Sequence, residues 1–175
     1  MLTPIDHTRS VETNIGKRYA LLGFLQGRVT PEHYEHWLRR KADAHVRRDR
    51  GRGIECTRED FRLRIHEAVQ DSGGLDAYAG QDLDWELLSE YDNESSREGR
   101  TEYKRKFARL PTVDHSIAGD AKKFMICAWR TNDAKNDMEL EDFRNLCVAV
   151  LLHAGYTVTE QNGNGSVGSP NGRKS

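Results

Sequence analysis

Leu110 to Lys135 reads LPTVDHSIAGDAKKFMICAWRTNDAK, a pattern of strand, loop, strand and helix start. Asp114-His115 ends the first apolar segment, and Asn132-x-x-Lys135 opens the helix. Hydrolysing a phosphodiester at neutral pH requires a deprotonated water, compensation of the phosphate charge and a stabilised leaving oxygen. A histidine near its solution pKa suits the first task. A hard divalent ion held by carboxylate and amide oxygens suits the other two. Asp114, His115 and Asn132 are that set of side chains. Neighbouring strand residues point to opposite faces, so Asp114 and His115 can share a site only where the strand ends or bulges. Pro111 before them and Gly119 after them make such an irregularity credible. Asp133, Asn136 and Asp137 are nearby alternatives for a metal, although Asp137 reads better as a helix cap. A bland alternative also stands, with Asp114 and His115 forming a hydrogen-bonded turn and Asn132 an ordinary cap.

The rest of the chain frames this stretch. Its 175 residues suit one domain with a modest core: 36% are hydrophobic and 31% charged, with a net charge of -1. That balance gives no overall basic signature, but the cations are clustered. Arg39 to Arg52 (RRKADAHVRRDRGR) and Arg100 to Arg109 are basic, and local patches decide whether a polyanion docks. Three scattered cysteines, Cys56, Cys127 and Cys147, form no C-x-x-C pair. They argue against a zinc ribbon and a disulfide framework and fit a reducing compartment. No apolar run approaches the about 18 residues of a membrane span. The N-terminal residues lack the pattern of a secretion signal. The expected location is cytoplasmic.

In chain order, residues 1 to 15 carry no period and read as a loose arm. Lys17 to Leu25 is a short apolar element, helix or strand. Thr30-Pro31 is a helix start, and Arg50-Gly51-Arg52-Gly53 is its end. Between them Tyr34, Trp37, Leu38, Ala42, His45 and Val46 share an apolar face. Arg39, Arg40, Lys41, Arg47 and Arg48 lie on the other side, as a solvated surface or as phosphate contacts. Thr57 and Asp60 form a capping-box variant ahead of Phe61, Ile65, Ala68 and Val69, with a stop at Asp71 to Gly74. His66, one step off that face, reads as structural. Leu75 to Leu88 reads as a hairpin turning at Ala79-Gly80-Gln81, with an apolar edge after it. The aromatics in Glu102 to Phe107 read as anchors of a basic loop. Asp137 is the expected cap of a last helix carrying Leu140, Phe143, Leu146, Cys147, Val150 and Leu151 on one face, closed at Gly155. Tyr156 to Thr159 is β-prone, and the Gly/Asn/Ser-rich residues 161 to 175 read as disordered.

The sequence V-D-H, a short loop, an apolar strand ending in Cys and then T-N-x-x-K resembles the HNH, or His-Me finger, nucleases. Tyr78-Ala-Gly-Gln-Asp-Leu loosely resembles the hairpin that often precedes that core. The resemblance implies an α+β fold, mainly helical, with a small ββα-metal finger. It implies His115 as general base, Asp114 and Asn132 as ligands of one Mg²⁺ or Mn²⁺, and Lys135 as a weaker catalytic match. The expected partner is nucleic acid, with DNA favoured, and Arg39, Arg40, Lys41, Arg47, Arg48 and Lys123 are the cations expected to grip it. The expected division is an arm over 1–29, a basic helical region over 30–74, an HNH-like core over 75–160 and a tail over 161–175. No structural zinc is expected, because the paired cysteines of many members are missing. One position departs from the family. Lys123 stands where an asparagine nine residues before the helix ligand orients the histidine, and Asp120 is the candidate replacement. The alternative function is a nucleic-acid-binding or adaptor module that keeps the finger as scaffold.

Overall fold

A computed structural model describes residues 18–91, 100–115, 123–159 and 166–167. The expected N-terminal arm, Gly119, Asp120 and most of the tail lie outside these residues. Among the described residues the fold is α+β and mainly helical. It has α1 (Pro31–Gly51), α2 (Arg58–Ser72), α3 (Arg100–Lys106), α4 (Trp129–Lys135) and α5 (Leu140–His153). The strands are β1 (Pro111–His115), β2 (Phe124–Ala128), β3 (Val158–Thr159) and β4 (Ser166–Val167). No described helix is long and apolar enough to cross a membrane.

Local chemistry sets the helix ends. The Thr30 hydroxyl caps α1 by accepting the His33 N–H at 3.2 Å, and Pro31 occupies the first turn, where no donor is needed. Thr57 caps α2 through the Asp60 N–H at 3.1 Å. That helix stops at Gly73, whose φ of 56° is left-handed. The undecided segment ending at Leu25 forms a 3₁₀ turn, Gly23–Leu25, and Leu25 is fully buried.

The core lies where α1 and α2 pack against each other and against the β1–β2 hairpin. Tyr34, Trp37, Leu38, Ala42 and Val46 from α1 meet Phe61, Ile65, Ala68 and Val69 from α2. Trp37 packs edge-on to Trp85 at 5.7 Å, and its Nε1–H donates to the Pro111 carbonyl at 3.3 Å, tying α1 to the first residue of β1. Phe124 on β2 packs edge-on to Phe61 at 5.0 Å. Buried Trp and Phe side chains such as these each contribute about 3–5 kcal/mol against truncation to alanine.

The antiparallel register pairs Val113 with Ile126, Asp114 with Met125 and His115 with Phe124. α4 begins directly after β2. Its Trp129 and Arg130 N–H groups donate to the Leu110 and Ala108 carbonyls at 2.9 Å each, folding the helix back beside the start of β1. Strand, strand and helix thus close into one small unit whose third wall is α1. The loop before it is pinned on both sides. Asp76 N–H donates to Gln81 O at 2.8 Å, Ala77 N–H donates to the Ile126 carbonyl at 3.0 Å, and Gly80 supplies the left-handed turn at φ 62°. The apolar edge after it is a 3₁₀ turn, Trp85–Leu88. Glu102 to Lys106 belongs to a helix rather than a loop, with Phe107 in the turn that follows, and the aromatics do anchor it: Phe107 is buried and stacks on Tyr103 at 4.3 Å.

Two expectations at the C-terminal end are corrected. Asp137 does not cap α5. The helix starts later, with Glu139 in the cap position, and the Asp137 carboxylate instead accepts the Asn136 side-chain amide at 3.1 Å. On the apolar stripe of α5, Leu146 and Val150 are 49% and 59% exposed. β3 pairs with β4, so Ser166–Val167, inside the tail read as disordered, is a strand.

Candidate active site

Asp114 and His115 sit at the last two positions of β1 and leave it on opposite sides, yet both line one cleft of ≈ 690 Å³. Asn132, Asp133 and Lys135 from α4 line it as well, together with Arg48 and Arg52 at the end of α1 and Lys104 from α3. The structure therefore gathers the four residues singled out in the central stretch.

Both carboxylate oxygens of Asp114 have partners. Oδ2 accepts the Tyr78 hydroxyl at 2.6 Å and lies 3.1 Å from the Lys135 ammonium, while Oδ1 accepts the His115 backbone N–H at 2.8 Å. Lys135 is nearly buried, and the carboxylate is the counter-charge that makes its burial tolerable. Tyr78 is placed by Asp76, whose Oδ1 accepts the Tyr78 N–H at 2.9 Å and whose Oδ2 accepts the Thr131 hydroxyl at 2.7 Å. Burial, and then the hydrogen bond to Asp114, pushes the Tyr78 phenol pKa well up, so it stays a donor.

The His115 side faces α1. Nε2 of His115 lies 3.1 Å from Oδ2 of Asp49, and the ring packs against His45 and Phe124 at 5.0 and 5.1 Å. Asp49 is 1% exposed and His45 is 2% exposed. Asp49 Oδ1 and His45 Nδ1 are buried without a hydrogen-bond partner. Burial pushes the His45 pKa down to about 3, helped by the Arg48 and His115 charges, with a Val113 backbone hydrogen bond pulling the other way. His45 is therefore a neutral imidazole at pH 7. Ligand atoms of His45, Asp49 and His115 all lie within 4.8 Å of one another.

The predicted cations separate. Arg48 lines the cleft, whereas Arg39, Arg47 and Lys123 are exposed and do not line it. Arg40 covers the Tyr91 ring at 4.7 Å. Lys41 donates to the Thr112 hydroxyl at 2.7 Å, and desolvation lowers its pKa to about 8. These two brace α1 against its neighbours. His66 accepts or donates a 2.7 Å hydrogen bond with the Tyr34 hydroxyl and is structural.

Sequence reasoning missed Asp49, Tyr78, Lys104 and Arg52, and it placed His45 only as packing. One signal was present: Asp49 follows His45 by four positions, on the face that Tyr34, Trp37 and Leu38 bury. An acid on the buried side of a helix needs a partner. No family model, no curated protein and no solved structure matches the chain.

Proposed function

We propose that the protein is a metal-dependent endonuclease of the HNH, or His-Me finger, type, hydrolysing phosphodiester bonds in nucleic acid, with DNA the first substrate to try. One observation carries this reading. Asp114, His115, Asn132 and Lys135 meet in one cleft whose rim bears Arg48, Arg52 and Lys104. The order β1, β2, α4 supports it, since it is the order the resemblance implies.

His115 is the general base. With the proton on Nε2, facing Asp49, the basic nitrogen is Nδ1. Asp49 fixes that tautomer and stabilises the imidazolium formed when a cleft water is deprotonated. The water attacks phosphorus, the P–O3′ bond breaks, and the products carry a 5′-phosphate and a 3′-hydroxyl. Arg48 and Arg52 draw the phosphate in. Asp114 and Asn132 supply the oxygen donors that Mg²⁺ or Mn²⁺ takes, and Oδ1 of Asp114, with one hydrogen bond, keeps a free lone pair. When bound there, such an ion offsets phosphate charge and stabilises the leaving oxygen.

A second reading, a binding module with the finger as scaffold, is favoured by a different observation: the Lys135 ammonium already neutralises Asp114. The test is nicking of supercoiled plasmid with Mg²⁺ or Mn²⁺, with chelator, and in Asp114→Asn. The nuclease reading expects cleavage that needs the ion and falls about 100-fold or more in the variant. Retarded but uncut plasmid under every metal supports the module instead.

A further inference from the structure

We infer that His45, Asp49 and His115 form a binding site for a borderline divalent transition metal, with Zn²⁺ the best-matched ion, separate from the oxygen site at Asp114. His45 and Asp49 are one helical turn apart on α1, so their side chains leave the same face. His115 meets them from the end of β1. All three ligand atoms lie within 4.8 Å of one another. Ligands at about 2.1 Å from a tetrahedral ion are about 3.4 Å apart, and the 3.1 Å between His115 Nε2 and Asp49 Oδ2 is already close to that.

Two further observations point to a ligand. The Asp49 and His45 side chains are 1% and 2% exposed, and each carries a buried atom with no hydrogen-bond partner, Oδ1 and Nδ1. Unpartnered buried polar atoms are costly. An ion that takes their lone pairs removes the cost. Two imidazoles and one carboxylate suit zinc and its neighbours rather than magnesium, which prefers oxygen. Three protein ligands leave a tetrahedral ion one position for water. Nearby cations oppose the ion: the Arg52 guanidinium lies 3.9 Å from Asp49 Oδ1, with its side chain 60% exposed, and the Arg48 and Lys41 charges act on His45.

The site goes beyond the nuclease reading and shares His115 and Asp49 with it, while its binding test does not depend on cleavage. A metal-bound His115 cannot act as a base, so the ion and the His115–Asp49 hydrogen bond exclude each other.

The test measures binding, not cleavage, and so stands whatever the nuclease assay gives. Zn²⁺ is titrated into the full chain by calorimetry, and Co²⁺ is followed by its visible absorption. The expected result is one ion per chain in wild type and Asp114→Asn. His45→Gln and Asp49→Asn should bind at least about tenfold more weakly, since even outer-shell losses cost that much. Should a variant fail to fold, imidazole resonances of the wild type decide. His45 and His115, among the seven histidines, should shift on adding Zn²⁺. The proposal is overturned by no stoichiometric binding, by equal affinity in folded His45→Gln and Asp49→Asn, or by shifts at other histidines only.

Discussion

The two faces of the end of β1 are built on opposite electrostatic principles. On the Asp114 face every carboxylate oxygen has a donor: an ammonium, a phenol and a backbone amide. On the His115 face a buried carboxylate and a buried neutral imidazole each retain an unpartnered atom. The first arrangement locks a negative charge in place and leaves one lone pair of Oδ1 open. The second is short of donors and gains from any proton or cation that enters. A strand that turns two neighbouring residues to opposite sides separates the two faces, and both residues line the cleft at its end.

The largest effect should come from weakening the His115 face. Asp49→Asn puts an amide where the carboxylate holds Nε2, and so favours the wrong tautomer. The maximal cleavage rate should fall about 10- to 1,000-fold with little change in substrate affinity. An unchanged rate at every pH would leave Asp49 as a packing group only.

On the Asp114 face, Lys135→Met removes the counter-charge of a partly buried carboxylate and should cost about 3 kcal/mol in urea unfolding, the lower end for broken buried pairs. Millimolar Mg²⁺ should then stabilise the variant more than the wild type, because it would replace the lost ammonium. Equal stabilisation of both would break the link between Lys135 and the cation site.

Smaller effects belong to the rim. Arg48→Ala should weaken DNA binding several-fold and reduce the salt slope by about 1. Arg39→Ala and Arg47→Ala should do less, because neither side chain lines the cleft. If all three weaken binding alike, the nucleic acid follows the helix rather than the cleft.

A separate effect concerns Lys41, which supports α1 through its hydrogen bond to Thr112. Its folded-state pKa, about 8, is below the ordinary 10.5. Between these values the unfolded chain holds the proton and the folded chain does not, so this residue makes stability rise with pH across that window. Below pH 8 both states are protonated and its full cost remains. Denaturant titrations of wild type and Lys41→Met at pH 7 to 10 should differ in slope, with the rise smaller in the variant.

Much of this was legible in the sequence because it is local. Thr30-Pro31 and the glycines near Arg50 mark the ends of α1, and the apolar spacing named its buried face. Asp114-His115 and Asn132-x-x-Lys135 marked the strand end and helix that line the cleft. What was not legible depends on long-range packing. Asp49 meets His115 across 66 positions of sequence, and nothing near either residue announces the other. Tyr78 reaches Asp114 across 36. The stripe on α5 shows the opposite limit: a helical period predicts the helix but not what covers its face. Asp137 failed as a cap because Glu139 takes that position.

The central claim is that His115 activates water for strand cleavage. The most direct measurement is the single-turnover rate of cutting a labelled DNA duplex in Mn²⁺, wild type beside His115→Ala, with matched binding and folding. The account predicts a fall of about 100-fold or more, with 5′-phosphate ends in whatever product remains. Equal rates in the two proteins would contradict it.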